Sequence, residues 1–205
     1  MVNRRDLVAA ITGSIAAWFV VTPASPLNIK FRTSASTPPS SVSRDDTLSE
    51  DDAFDPSHAA QAIHSRVNQW RANTAAMPSL KWDSDLATVA TDHARAIAET
   101  AEYSHHSPDG TTAEMRVRRS ADCFSGENIN KIRWDTMIMT EYNDALSREI
   151  DSYVALADHC VIQFARSEGH RNNMLQKDIT AEGIGVVKTT DETETETVYI
   201  VQDFC

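Results

Sequence analysis

The side chains best suited to chemistry fall in three short segments of the chain. "YSHHSPDG", residues 103–110, carries His105 and His106, "GENI" begins at residue 126 and carries Glu127, and "SEGHRNNML" ends at residue 175 and carries His170. Histidine changes charge near neutral pH and is the commonest metal ligand in proteins, so these positions are candidates for proton transfer or metal binding. None of the three segments is specific by itself.

Two helices are predicted to lead into the first histidine segment. Asp55 and Pro56 suit the cap and first turn of a helix that runs to about Asn73. Asp83 or Ser84 then caps a second helix, and the apolar face of that helix carries Leu86, Val89, Ala90, His93, Ala94 and Ile97. We expect His93 to be a hydrogen-bonded core histidine rather than a ligand. Because "YSHHSPDG" is rich in turn-forming residues, its two histidines are predicted to lie on a loop.

The second half of the chain is predicted to contain a short helix, a long helix and a β-hairpin. "TTAEMRVRRS" forms the short helix, with its arginines facing solvent. The long helix has an apolar stripe made of Leu146, Ile150, Tyr153, Ala157, Val161 and Phe164. Gly169 is expected to end this helix, because glycine enters the left-handed conformation without steric cost. "GIGVVKTT" and "TVYIVQDFC" are β-branched runs on either side of an acidic turn, a pattern typical of a hairpin.

The N-terminal region differs from the rest of the chain. Residues 1–24 combine Arg4 and Arg5 with an apolar run and small residues, which indicates an export signal or a membrane anchor. The paired arginines resemble a twin-arginine signal, which would mean export of an already folded protein. Residues 25–55 are rich in Ser, Thr, Pro and Asp and are predicted to be a disordered linker. The domain is therefore predicted over residues 56–205.

The net charge limits the classes of partner. The formal charge is -11, and removal of Arg4, Arg5 and Asp6 with the signal would give -11 - 2 + 1 = -12. Nucleic acid is a poor candidate partner for so acidic a protein. A membrane would be contacted only through an uncleaved N-terminal segment. The many carboxylates also suit a salt-rich medium, where screening weakens self-repulsion, so we hypothesise a halophilic source.

The three cysteines leave the disulfide pattern open. Cys123, Cys160 and Cys205 allow one bridge in any of three pairings, and an exported protein permits such a bridge. Three free thiols are an equally consistent interpretation. No spacing resembles a zinc finger or a redox pair.

Seven short pieces of the sequence occur in a recognisable order: "VNQWR" with Asn68 and Arg71, "LKWDSDLATVATDHA", the three segments described above, "IGVV" and the closing "VQDF". Together they resemble the CAP superfamily of cysteine-rich secretory, antigen 5 and pathogenesis-related proteins, and in particular its prokaryotic branch. The resemblance runs from about residue 58 to the C-terminus. Each piece alone is weak, but their common order is a strong indication.

The resemblance implies an α/β fold, a three-layer α-β-α sandwich with a C-terminal β-hairpin. It also implies a surface cleft in which His105, Glu127 and His170 meet, with His106 as the less suitable neighbour. Two positions depart from the family pattern, because Phe164 stands where tryptophan is usual and Ser167 where animal and plant members have a second glutamate. The segment "NINKIRWDTMIMTEYNDALSRE" is predicted to be an insertion beside the cleft rim.

Three interpretations of this cleft remain open. His105, Glu127 and His170 would form a metal set suited to Zn²⁺ or another divalent cation, with one position open to water or substrate. The same residues are the candidate catalytic residues of a peptidase-like hydrolase, with a histidine as general base acting on Ser104 or Ser167. The paired polar side chains could instead only fix the loops.

The sequence thus predicts a secreted or cell-surface CAP-domain protein whose cleft binds a divalent metal or a small extracellular ligand. An extracellular hydrolase is the alternative, and a purely structural surface component is a third class. No cofactor other than a metal is predicted, and the extracellular ligand or protein partner is not identified.

Overall fold

A computed structural model describes residues 53–135, 137–138 and 148–205. The predicted export signal, most of the predicted linker, Leu146 and the middle of the predicted insertion lie outside these residues. The helices are α1 (Pro56–Ala75), α2 (Ser84–Thr100), α3 (Ala113–Val117), α4 (Tyr153–Arg166) and α5 (Glu168–Met174). The strands are β1 (Lys81–Trp82), β2 (Gly126–Arg133), β3 (Met137–Ile138), β4 (Arg148–Glu149), β5 (Ala181–Thr190) and β6 (Glu196–Phe204).

A central four-stranded sheet organises the fold in the order β1-β5-β6-β2. β1 runs parallel to β5, and the other neighbours are antiparallel. β5 and β6 form the predicted C-terminal hairpin, and β3 pairs with β4 in a separate small ribbon. β2 pairs with β6 so that Glu127 lies opposite Asp203 and Asn128 opposite Gln202.

Helices cover both faces of the sheet, which confirms the predicted three-layer sandwich. One face packs α1 and α4 against strand residues such as Ile184, Ile200 and Phe204. The other face packs Ala90, Ala94 and Ile97 of α2 against Ile129, Tyr199 and Val201. Because side chains alternate across a strand, neighbouring residues of β2 and β6 serve different layers. A polar residue that follows an apolar residue in the strand therefore points to the opposite face, where its side chain can also be buried.

The α2 layer lies unusually close to the sheet at Gly183 and Gly185. A Cβ atom on either glycine would lie 2.1 Å from the backbone nitrogen of Ala87 or Thr91. Only glycine permits this approach, and it fixes α2 over β5. Since α2 precedes the loop that carries His105, the close packing also fixes where that loop begins.

The predicted helix starts are confirmed at α1 and α2, where the caps are local. The Asp55 carboxylate accepts from the backbone nitrogens of Ser57 and His58 at 2.8 and 3.2 Å. Asp83, rather than Ser84, caps α2 by accepting from Asp85 and Leu86. Of the spans that the structure describes, none is a helix both long and apolar enough to cross a membrane.

The prediction for the long helix was wrong at both ends. α4 begins at Tyr153 because the Ser152 hydroxyl caps it by accepting from the nitrogen of Ala155 at 3.3 Å, so Ile150 precedes the helix. Gly169 does not end it. The break comes at Ser167, whose backbone is extended, and Gly169 lies inside α5.

The predicted insertion was also placed too early in the chain. Its first residues, Asn128 to Arg133, belong to β2 of the central sheet, where alternate side chains are buried on the two faces. Among the later residues of this segment that the structure describes, Met137, Ile138, Arg148 and Glu149 form the β3–β4 ribbon outside the central sheet. Asn128 is therefore part of the core beneath the cleft rather than an addition to its rim.

One disulfide closes the fold at the C-terminus. Cys123 pairs with Cys205, and their Cα atoms lie 5.4 Å apart. The bond joins the segment before β2 to the residue after β6. Cys160 is free and buried in α4, and burial raises its pKa to about 12, so this thiol stays protonated and unreactive at neutral pH.

Candidate functional site: the His105–Glu127 cleft

The loop that carries His105 is folded back on itself. The nitrogen of Ser107 donates to the oxygen of Thr111 at 2.9 Å, and the nitrogen of Gly110 donates to the oxygen of Ser107 at 2.8 Å. Gly110 has φ +81°, which favours glycine at the tip. His93 of α2, which is buried as predicted, donates from Nε2 to the oxygen of Ser104 at 2.9 Å. The base of the loop is thereby attached to the helix beneath it.

Glu127 is the centre of the site. It lies at the start of β2, and its side chain is 1% exposed. One carboxylate oxygen, Oε1, accepts from Nδ1 of His105 at 2.7 Å. The other, Oε2, accepts from Nη2 of Arg116 at 2.6 Å. Both oxygens are therefore engaged by cationic or proton-bearing partners.

His105 is held at one nitrogen and open at the other. Its Nδ1–H donates to Glu127, and Nε2 is the ring nitrogen that this contact leaves free. The side chain is 49% exposed, so the ring reaches water while Glu127 fixes its orientation. His105, rather than the adjacent His106, makes the contact with Glu127, in agreement with the prediction.

Arg116 is a residue of the candidate site that the sequence analysis missed. Its side chain is only 10% exposed, although the arginines of α3 were predicted to face solvent. Nη1 donates at 3.1 Å to the oxygens of His105 and Thr111 and to the Ser107 hydroxyl. A signal was present, because residues three and four positions after buried Ala113 share its helix face, and these are Arg116 and Val117.

His170 lies beside the cleft, and its side chain makes no described hydrogen bond to Glu127. Its ring packs edge-on against Phe164, with 5.2 Å between ring centroids, and its backbone oxygen accepts from Nδ2 of Asn128 at 3.2 Å. Burial lowers the pKa of His170, and the charge of His105 lowers it further.

An open cleft of about 410 Å³ lies in front of Glu127. Its lining consists of His105, His106, Thr112, Ala113, Glu114, Phe124 and Glu127. Within the described part of the chain, neither the Ser104 hydroxyl nor the Ser167 hydroxyl makes a hydrogen bond to an imidazole. The Ser104 hydroxyl instead accepts from the backbone nitrogen of His106 at 3.0 Å.

Sequence and fold comparisons identify the family to which this site belongs. The family model described as the cysteine-rich secretory protein family, CAP, matches residues 64–204. The chain belongs to the CAP family. The match contains the three segments that carry His105, Glu127 and His170, and no curated protein matches the chain.

Solved structures show the same CAP fold at low sequence identity. An extracellular protein containing an SCP domain from Bacillus anthracis is 23% identical with a TM-score of 0.52, and the match covers 73% of this chain and 41% of that protein. This chain therefore spans less than half of that protein. An outer surface protein from Borrelia burgdorferi is 15% identical with a TM-score of 0.50, and the match covers 74% of this chain and 95% of that protein.

The CAP site departs from the metal set that the sequence predicted. Among the described residues, no three His, Cys, Asp or Glu side chains are grouped so that they could hold a metal ion. Each oxygen of Glu127 already accepts a hydrogen bond, one from His105 and one from Arg116. In this arrangement Glu127 orients His105.

Proposed function

We propose that this CAP domain is an extracellular binding module in which His105 presents Nε2 to a divalent metal or to a small polar ligand. The observation that carries the proposal is the His105–Glu127 contact at 2.7 Å, made on the side of the ring away from water. The described neighbours are extracellular and outer-surface proteins, and the N-terminal sequence suits export.

The hydrogen bonds of Glu127 support the presentation of an oriented imidazole. A carboxylate that receives Nδ1–H fixes the tautomer and ring orientation of a histidine and increases the basicity of its free nitrogen. Arg116 balances the charge of Glu127, so the pair adds no net charge to the cleft. A ligand that needs a nitrogen donor would meet His105 already oriented.

As a metal site, the proposed cleft would use two histidine ligands. His105 and His170 would hold it, Glu127 would orient His105, and the remaining positions would be filled by water or the bound ligand. Bound Zn²⁺ would supply a Lewis acid.

Calorimetric titration of the full chain with Zn²⁺ tests this proposal. We expect the wild type to bind zinc and His105→Ala to lose binding. Glu127→Gln should weaken affinity by about 10- to 100-fold, the usual effect of removing a residue that orients a ligand histidine. His58→Ala, an exposed histidine on α1, is the matched control and should bind as the wild type does.

Two outcomes would contradict the proposal in different ways. If the wild type gives no heat with zinc, the metal part is wrong and only a small-molecule ligand remains. If His106→Ala removes binding while His105→Ala does not, the wrong imidazole has been assigned.

The same histidine–carboxylate pair favours a hydrolase as the second candidate function. A general base needs an orienting partner, and Glu127 is placed to act as one for His105. The proposal is weaker because neither the Ser104 hydroxyl nor the Ser167 hydroxyl makes a described hydrogen bond to an imidazole. Turnover of a broad peptide library by the wild type, abolished in His105→Ala or His170→Ala with the fold intact by circular dichroism, would establish the hydrolase instead.

A further inference from the structure

Unpartnered buried polar atoms concentrate behind the cleft. Among the described residues, the buried side-chain nitrogens and oxygens that lack a hydrogen-bond partner are His93 Nδ1, Arg116 Nε and both carboxyl oxygens of Asp203. Asp203 is 0% exposed. Buried carboxyl groups without a donor are rare in proteins, so this one requires an explanation.

The strand register places Asp203 beside Glu127. The two residues lie directly opposite each other in the β2–β6 ladder, and their side chains therefore project from the same face of the sheet. Residues directly opposite each other in an antiparallel pair have Cβ atoms about 4.5–5.5 Å apart, so the two carboxyl groups are close neighbours. Two ionised carboxylates at this separation repel each other, and neither can donate a hydrogen bond.

We propose that Asp203 is protonated at neutral pH and that its O–H donates to the carboxylate of Glu127. One proton converts two adjacent acceptors into a donor and an acceptor, and it gives Asp203 the partner that it otherwise lacks. Asp203 is then a positioning residue of the cleft, because it acts on His105 through Glu127.

The charged groups around Asp203 favour this assignment. Arg116 on α3 is paired with Glu127, so its positive charge balances one carboxylate but not two. His93 on α2 cannot supply a second charge, because burial lowers its pKa. His105 lies on the far side of Glu127 and is already bonded to it. Burial, followed by the charge of Glu127, raises the pKa of Asp203 well above its usual value, while Arg116 opposes the shift.

A protonated Asp203 would complete the support of the carboxylate that orients His105. Glu127 then accepts from His105, Arg116 and Asp203, which come from a loop, a helix and the neighbouring strand. Loss of the proton would place two like charges side by side beneath the cleft. This inference concerns the site of the proposed binding function, but its test needs no ligand, so the two can fail separately.

Infrared spectroscopy of the full chain at pH 7 is the direct test. A protonated carboxyl group has a carbonyl band well separated from that of carboxylates. We expect such a band in the wild type, shifted by ¹³C-labelling of aspartate and absent in Asp203→Asn. The band should persist in Asp122→Asn, which removes an exposed carboxylate. No band, or a band unaffected by aspartate labelling, would overturn the proposal.

Urea unfolding at several pH values is an independent test. The folded wild type retains a proton that the unfolded chain releases above a pKa of about 3.9. Its folding constant should therefore fall relative to that of Asp203→Asn, by up to tenfold for each pH unit until the folded pKa is reached. A ratio between the two proteins that does not change from pH 5 to 7 would show that Asp203 is ionised. If Asp203→Asn does not fold, labelling of the wild type still decides the question.

Discussion

The two faces of the central sheet bury polar groups in opposite ways. On the α1–α4 face, His64 contacts Glu182 at 2.6 Å, Glu182 accepts from Gln202 at 2.5 Å, and Gln202 accepts from Asn128 at 3.0 Å. None of these side chains has a buried nitrogen or oxygen without a partner in the described structure. On the α2–α3 face, the groups around Glu127 include all four of the unpartnered buried atoms described above.

We infer from this difference that the network on the α1–α4 face serves the fold and that the cluster around Glu127 belongs to the proposed site. A fully partnered buried network stabilises one arrangement and leaves nothing to recognise a ligand. An incompletely partnered cluster is a local cost to the fold, and such costs are concentrated at functional sites. The His64–Asn128 chain also ends at the oxygen of His170, so the structural face supports the position of a residue beside the cleft.

The largest effect is expected from disrupting the hydrogen-bonded network on the α1–α4 face at Glu182. Glu182→Ala removes the acceptor of both His64 and Gln202 and leaves a cavity at a fully buried position. We expect a loss of about 3–5 kcal/mol in the free energy of unfolding, measured by urea denaturation. Glu192→Ala, which removes an exposed glutamate from the β5–β6 turn, should change it by less than about 0.5 kcal/mol. A loss below about 1 kcal/mol for Glu182→Ala would mean that this network is not structural.

The next largest effect should come from the disulfide that joins the ends of β2 and β6. Cys205 lies two residues beyond Asp203, and the bond closes a separation of 82 residues. Replacing Cys123 and Cys205 with serine should lower the free energy of unfolding by about 2–4 kcal/mol. Reductant should destabilise the wild type to the same extent and leave the double variant unchanged. Equal sensitivity of both proteins to reductant would argue against this pairing.

Local patterns in the sequence predicted most of the fold. The caps at Asp55 and Asp83, the apolar stripe of α2 and the β-branched runs of the hairpin depend on neighbours within one or two turns. The start of α4 was wrong because the stripe continues back through Ile150, whereas the Ser152 cap decides where the helix begins. Periodicity alone does not show which residue caps the helix.

The sequence predicted those residues of the candidate site that could be matched singly to the family pattern. His105 and Glu127 do meet. The backbone oxygen of His170 accepts from Asn128, which follows Glu127 in β2. Arg116 and Asp203 were missed because each role depends on a partner distant in the chain. An arginine on a short helix usually faces water, and an aspartate near the end of a strand gives no sign of the glutamate opposite it. The disulfide pairing required the same long-range information.

The smallest effect is expected in the response of the free energy of unfolding to acid. His93 donates from Nε2 to Ser104, and its Nδ1 is buried without a partner, so protonation would create an uncompensated charge. Because burial lowers the pKa of His93 in the folded state, the unfolded chain binds more protons below about pH 6.5. Stability should therefore fall as the pH drops from 7 to 5, by at most about 1.4 kcal/mol per pH unit for this residue.

His93→Gln should reduce the fall in stability between pH 7 and 5, because an amide can still donate to Ser104 and does not titrate. His170, whose pKa is also lowered, contributes with the same sign and should leave a residual slope. His58→Gln should retain the wild-type profile. Asp203 acts in the opposite direction, because a raised carboxyl pKa causes stability to fall as pH rises. Through His93 and Asp203 of the α2–α3 face, stability would then decrease with pH on both sides of an optimum. Identical pH profiles for the wild type and His93→Gln would show that His93 does not cause the loss of stability in acid.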